Sequence, residues 1–376
     1  MEKTQKPGGR PIVFLYLGRS GAMVQFTQVL AETAARDGEA AAAFVISNSN
    51  ENAAGLMAAG ARVHTVPTFT RGTRALSPLS FARTRKTLLT LFRDLRPAAI
   101  VNLMPHIWTP LLVRSIQRLG FPFLSIIHDA KPHPGDRTAL VTPWLLREAR
   151  LADKVVTLSQ TVTDDLVALR GVKRENITTL FHPDFHFQAQ AKPRERQAGK
   201  PLRLLFLGRI MAYKGLDVLI QAVEHARANG ADIALGVAGS GDISSVRHQL
   251  DSLDAEVCNR WLSDADIDDF LSRYDAMACS HVEASQSGIA SAAFGSLMPV
   301  IAMPVGGIAE QVIDGETGVL ASKVSAGAFG DAIARLANDH TLYNRISRHL
   351  FDSAANRSPA RFLSDIVAAA KETSPA

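Results

Sequence analysis

Short, continuous apolar runs alternate with helical patterns along almost the whole chain, and that alternation restricts the fold more than any other feature. In the first half the runs are 12–17, 41–47, 61–66, 99–104, 123–128, 154–159 and 177–182. In the second they are 203–208, 233–239, 257–262, 276–280, 299–304 and 318–321. Runs that are apolar throughout, not at every second position, fit strands buried on both faces of a parallel sheet. The stretches between them, such as 23–36 and 110–118, have the spacing of crossover helices. The alternation breaks once, at the apolar-poor segment QAQAKPRERQAGKP, 188–201, which reads as a linker. The expected fold is α/β: two doubly wound, Rossmann-like domains, 1–187 and 202–345, with parallel sheets facing a cleft. The helical segments after about 325 exceed one more crossover, so 346–376 is expected to cross back onto the first domain. Ligands of such sheets bind beyond the carboxyl ends of the strands, so the residues just after each run are the candidates.

A chain of 376 residues is long enough for two independent cores. The excess of Lys and Arg over Asp and Glu, 41 to 36, is mild and favours anionic partners without naming one. Cys258 and Cys279 both lie in apolar runs and form no metal or redox pattern, which suits a reducing cytoplasm. No stretch approaches the ~18 uncharged apolar residues of a membrane span, and MEKTQKPGGRP has no signal-peptide core. A cytoplasmic protein, soluble or peripheral at a membrane, is the expectation.

Segment 202–219, LRLLFLGRIMAYKGLDVL, reads as strand, turn and helix start, with Arg209 and Lys214 in the turn. Two cations at a strand's carboxyl end suit a diphosphate: Arg offers a planar fork of donors and Lys a point charge. They equally suit a solvated loop. Gly18 and Gly21 end the first strand and resemble half of a dinucleotide fingerprint. The acid expected after the second strand is missing, since Glu51 falls too far into its loop, so the glycines suit a close backbone approach or a turn. Further on, Glu283 follows a strand, and Ser285, Gln286, Ser287 and Gly288 lead into a helix of small residues. Ser287 can cap that helix, whose first amides make an anion site. It follows the fourth strand of its half while Arg209 and Lys214 follow the first, so both sit on one edge of a parallel sheet. One diphosphate could then take cations from one side and amides from the other.

GRIMAYKGLDVLIQA (208–222), GSGD (239–242), RYDAMACS before Glu283, PVIAMPVGGIAEQV (299–312) and DGETGVL (314–320) together resemble the donor domain of glycosyltransferase family 4, retaining enzymes of GT-B architecture. SIIHDAKPHPGD (125–136) and LADKVVTLSQ (151–160) resemble its acceptor domain more loosely. The family's usual Glu-x7-Glu is absent: aligned on PVIA, the two positions fall at Ala284 and Ala292, and EASQSGI resembles a variant subgroup. The resemblance implies donor-site roles for Glu283, Gln286, Ser287, Gly288 and Ile289, with Gly239 in the same site. It also implies transfer with retention and without a metal, a diphosphate oxygen taking the acceptor's proton. It places His128, at the end of a strand beside Asp129, near the donor sugar and acceptor; a structural histidine bonded to backbone is the alternative. His133 is a weaker acceptor-side candidate, and His106 a loop-shaping residue.

Asp264 and Asp266 could be read as a metal-binding Asp-x-Asp, but at a helix start behind Ser263 they fit a cap better. Trp261 is placed near the nucleotide base by position only. Residues 71–96 carry seven cations and one acid among interleaved Leu and Phe, which suits an anionic lipid surface or a solvated helix face. Nucleic acid fits poorly without an aromatic platform. The sequence thus reads as a hexosyltransferase using a nucleoside-diphosphate sugar, with a glycan or lipid-linked acceptor and no cofactor. The family resemblance suggests bacterial surface polysaccharide or glycolipid assembly at the inner membrane face. The alternatives are a nucleotide-sugar-binding pseudoenzyme, suggested by Ala292, and a GT-B epimerase or phosphorylase.

Overall fold

The computed structural model describes residues 10–36, 42–69, 77–132, 140–186 and 192–373. The chain forms two compact units: one holds the described residues up to Phe181 and those from Pro359 on, the other His182–Ser358. The first unit runs β1 (Ile12–Tyr16), α1 (Ala22–Arg36), β2 (Ala42–Ser47), α2 (Ala53–Ala58), β3 (Val63–Val66), α3 (Pro78–Leu95), β4 (Ala99–Asn102), α4 (Thr109–Gln117), β5 (Phe123–Ile127), α5 (Thr142–Leu145), α6 (Arg147–Leu151), β6 (Lys154–Thr157), α7 (Gln160–Arg170) and β7 (Ile177–Thr179). Its seven strands are all parallel, in the order β3-β2-β1-β4-β5-β6-β7.

The second unit runs β8 (Leu202–Leu207), α8 (Leu216–Ala228), β9 (Ile233–Gly239), α9 (Arg247–Ser252), β10 (Glu256–Asn259), α10 (Asp264–Arg273), β11 (Ala276–Cys279), α11 (Gly288–Gly295), β12 (Val300–Ala302), α12 (Ile308–Gln311), β13 (Gly318–Leu320), α13 (Ala326–Asn338) and α14 (His340–Asp352). Its six-stranded parallel sheet has the order β10-β9-β8-β11-β12-β13. Each strand overlaps one of the apolar runs. β1, β2, β4 and β5 are buried at every position, as strands covered on both faces must be. In each sheet the strand order reverses once, between β1 and β4 and between β8 and β11. Such a switch point opens a crevice at the strand ends, where doubly wound folds bind ligands.

The last helix, α15 (Pro359–Thr373), belongs to the first unit. Phe362 packs edge-on against Phe26 at 5.7 Å and Phe181 at 5.8 Å, and Lys154 pairs with Glu372 at 2.9 Å. The stretch 188–201 is not free polypeptide over its described part. Residues 192–201 lie within the second unit, where Arg194 donates to the carbonyls of Leu271, Tyr274 and Ser296 and Arg196 to those of Ala337 and Lys200. These arginines satisfy carbonyls that the ends of α10, α11 and α13 leave open. Residues 188–191 lie outside the described residues. Among the described residues no helix is long and apolar enough to cross a membrane.

Candidate functional site

The switch point of the second unit gathers most of the donor-side candidates. After β8 the backbone turns at Gly208 (φ +105°), passes exposed Arg209, makes a 3-10 turn over Ala212–Lys214 and enters α8 through Gly215 (φ +64°). The loop leaving β11 is bonded to that turn. Ser280 Oγ donates to the Lys214 carbonyl at 2.8 Å, and the Val282 amide donates to the Tyr213 carbonyl at 2.9 Å. Gly215 is required for the approach, because a Cβ there would stand 2.3 Å from the Ser280 carbonyl oxygen.

Ser287 caps α11, its Oγ accepting from the Ala290 amide at 3.3 Å. Its own amide is not available to a ligand: it donates to Gln311 Oε1 at 2.7 Å. The amides of Gly288 and Ile289 carry no hydrogen bond among the described residues. Lys214 Nζ and the side chain of Ile289, in the first turn of α11, both border Gly208. A Cβ at Gly208 would lie 3.3 Å from Lys214 Nζ and 3.6 Å from Ile289 Cγ2. Here a bare backbone leaves room between a cation and a helix N-terminus.

Lys214 pairs with no carboxylate among the described residues. Burial lowers its pKa to about 8, with exposed Arg209 adding repulsion. A nearby thiol, Cys279, is pushed up to about 12 by burial and stays protonated at neutral pH. Gln286 places a buried Oε1 that has no hydrogen-bond partner, and Glu283 is partly buried in the loop ahead of it. An ammonium without a carboxylate partner and two open helix-start amides can receive an anion, while the Gln286 oxygen can accept from a hydroxyl.

Of the other candidates, Gly239 borders the cluster at Gly208. Gly239 (φ +150°) ends β9 with its Cβ position 1.8 Å from the Gly208 carbonyl oxygen, so its lack of a side chain serves the packing of β8 on β9. Trp261, 61% exposed, follows edge strand β10, two strands from β8. Asp266 completes a capping box with Ser263 and receives two hydrogen bonds from Arg260, at 2.8 and 2.6 Å. The Asp264-x-Asp266 pair is therefore a helix start.

In the first unit, Gly21 (φ +94°) donates its amide to Glu51 Oε1 at 3.1 Å, and Gly18 leaves its Cβ position 2.4 Å from the Tyr16 hydroxyl. Glu51 thus ties the β1 loop to the β2 loop. His128 ends β5, buried, with Nε2 at 2.9 Å from the Leu103 carbonyl and its ring edge-on to Phe26. That carbonyl can only accept, so Nε2 carries the proton and Nδ1 is left as an acceptor. Burial lowers the pKa of His128, outweighing the opposing effects of the Leu103 bond and partly buried Asp129. His106 shapes its loop, Nδ1 accepting from the Trp108 amide at 3.3 Å, and burial pushes its pKa down to about 4. His133 lies outside the described residues.

Two domain-family models match this chain: a glycosyl transferase 4-like domain over residues 21–180 and the glycosyl transferases group 1 domain over 201–339. The fold superposes on a glycosyltransferase from Rickettsia africae with a TM-score of 0.70 at 15% identity, covering 97% of this chain and 99% of that one. Anabaena HepE in complex with UDP and glucose matches with a TM-score of 0.70 at 16% identity, covering 95% and 98%. Each half of the chain thus matches a glycosyl transferase domain, and the fold is GT-B. A D-inositol 3-phosphate glycosyltransferase of Corynebacterium aurimucosum is 30% identical over 209 residues, 50% of this chain and 49% of that protein. The glycogen synthase of Mycobacterium tuberculosis is 27% identical over 249 residues, 60% of this chain and 57% of that one. The chain thus spans about half the length of the curated relatives it matches.

Two residues of this GT-B chain escaped sequence reasoning. Gln311 holds the α11 N-terminus: besides accepting from the Ser287 amide, it donates to the Ser287 carbonyl and to Ser291 Oγ, both at 3.3 Å. Gln311→Leu leaves the Ser287 amide without its partner and should lower stability by about 1–3 kcal/mol. Chemical denaturation reads this directly, and an unchanged midpoint would mean that the bond carries nothing. Glu148 is fully buried, receiving hydrogen bonds from Asn102 at 2.6 Å, Ser125 at 2.5 Å and Thr109. Burial raises its pKa against those bonds, and it joins the ends of β4 and α4 to β5. In the sequence, LLREAR looks like an ordinary solvated helix. Ala292, at the family's second Glu position, is 4% exposed within α11 and supplies no carboxylate.

Proposed function

We propose that this chain transfers a hexose from a nucleoside-diphosphate sugar to a glycan or lipid-linked acceptor, with retention of configuration and no metal. The observation that carries the reading is the partly buried Lys214 ammonium, which pairs with no carboxylate among the described residues and borders Gly208 together with Ile289 of the α11 first turn. A buried cation without a counter-ion is costly unless a ligand supplies the charge. A diphosphate does so at the moment it matters, because negative charge grows on it as the glycosidic bond breaks. Arg209, Lys214 and the amides of Gly288 and Ile289 would stabilise that charge in place of a metal ion.

A diphosphate oxygen then takes the proton of the attacking hydroxyl on the face that the leaving group vacates, which gives retention without a dedicated base. Glu283 and Gln286 would hold sugar hydroxyls. UDP is the first nucleotide to test, since the solved HepE structure holds it. The acceptor class points to bacterial surface polysaccharide or glycolipid assembly on the cytoplasmic side of the membrane.

A thermal-shift screen with UDP, GDP, ADP and their hexose conjugates, followed by transfer assays on the one that binds, tests this reading. A ligand raises stability by RT ln(1 + [L]/Kd), so ~100-fold saturation gives about 2.7 kcal/mol. No shift with any diphosphate would sink it. The lack of a carboxylate at Ala292 favours one other reading, a binding pseudoenzyme, whose signature is a shift without turnover over a broad acceptor panel.

A further inference from the structure

In the first unit, α3 and α4 lie side by side and run the same way. The Phe81 ring meets Trp108 at 5.9 Å, and one turn further along Arg85 donates to Ser115 Oγ at 3.2 Å. On α3 the exposed residues Leu79, Arg83, Lys86 and Arg93 recur at helical spacing, as do Leu111 and Arg114 on α4 and Arg118 just past its end. None of these five cations is in an ion pair among the described residues. Asp94, near the end of α3, is the one acid on either helix, and Asp153 beyond α4 is occupied by the Phe123 amide and Gln117. Leu79, 84% exposed, and Leu111, 48% exposed, mark the same end of the paired stripes. The α4 half of this face carries no signal in the sequence, where only 71–96 stands out as basic; residues 71–76 lie outside the described residues.

We propose that this face docks on an anionic lipid bilayer, cations against the headgroups and the two leucines at the acyl boundary. Charge complementarity selects the partner. Five exposed, uncompensated cations along two adjacent helices suit a surface of negative charge, and each Lys or Arg near such a surface adds attraction. Exposed leucines gain only where there is apolar material to enter. A nucleic acid would use neither leucine, and the aromatic neighbours Phe81, Phe92 and Trp108 are covered or partly covered instead of forming a stacking platform. The inference goes beyond the donor-site reading and stands or falls independently of it.

Flotation of the full chain with vesicles of phosphatidylcholine, with or without one-third phosphatidylglycerol, tests it. Binding is expected only with the anionic lipid and should fade between about 0.1 M and 0.5 M salt, as the screening length shortens. Each neutralised cation should weaken partitioning about fivefold, so Arg83→Gln/Lys86→Gln/Arg114→Gln together should lose ~10²-fold. Leu79→Ser/Leu111→Ser should lose at least about tenfold more than neutral surface changes do. All of these residues are exposed, so the variants should keep the wild-type melting temperature and its shift with UDP. Equal binding to neutral vesicles, an unchanged triple variant, or retention on heparin with no vesicle binding would each overturn the proposal. A lost UDP response in the wild type beside intact flotation would count against the donor reading alone.

Discussion

Lys214→Met should make the ligand-free protein more stable and deaf to UDP. The two effects have one cause: the ammonium is held in a site that lowers its pKa from 10.5 to about 8, with no carboxylate among the described residues to offset the burial. An apolar chain of similar length removes that penalty, a gain of about 1–3 kcal/mol. It also removes the charge facing the diphosphate, which should cost on the order of 10²–10³ in turnover. The pH dependence has a definite sign. With the folded pKa below the unfolded one, the burial penalty is in full force below pH ~8 and is relieved as pH climbs toward ~10.4. The wild-type apo protein should therefore gain stability through that window, while Lys214→Met stays flat in it. UDP binding should move the other way, weakening by up to about tenfold per pH unit above ~8, since only the protonated amine attracts the phosphates. Denaturant titrations with and without UDP measure both curves. A full UDP shift in Lys214→Met would show that the anion binds elsewhere.

Gly239→Ala should be among the most damaging single methyl additions to the second unit. The backbone there sits at φ +150°, and the new Cβ would come 1.8 Å from the Gly208 carbonyl oxygen. That oxygen belongs to the main chain at the end of β8 and cannot swing aside, so the ends of two paired strands must part. The strain and lost pairing should total about 3–5 kcal/mol, a large part of a typical domain's stability. Gly171→Ala provides the comparison: it also has positive φ, at +63°, but nothing lies within 4 Å of its Cβ position. It should cost only about 1 kcal/mol. Urea midpoints of the two variants separate backbone strain from collision, and equal losses would refute the collision account.

The legible parts of this protein are those where a residue's role follows from its chain neighbours. Continuous apolar runs marked the strands because both faces of a parallel strand are covered. Ser263 and Ser287 could be read as caps because a cap acts on amides within three residues of itself. The 188–201 stretch shows where this fails. Arg194 and Arg196 look like solvated linker cations, yet they reach carbonyls that lie between 4 and 141 positions away in the chain. Gln311 is the same case, since its partner Ser287 is 24 residues distant and nothing near Gln311 signals the bond. Glu148 reads as a surface acid because its three partners come from β4, α4 and β5.

The chain by itself determined the two α/β halves, the strand positions, the helix starts and the loops in which the phosphate candidates would lie. These follow from local periodicity and from hydrogen bonds a few residues long. Tertiary structure decided that Ser287 gives its amide to Gln311, leaving those of Gly288 and Ile289. It also decided that Gly239 packs against Gly208, and that the Lys214 ammonium is partly buried, without a carboxylate partner among the described residues, and borders Gly208 together with Ile289. Burial and convergence depend on how β8 and β11 lie side by side in the sheet, and strands separated by three crossovers carry no local mark of becoming neighbours.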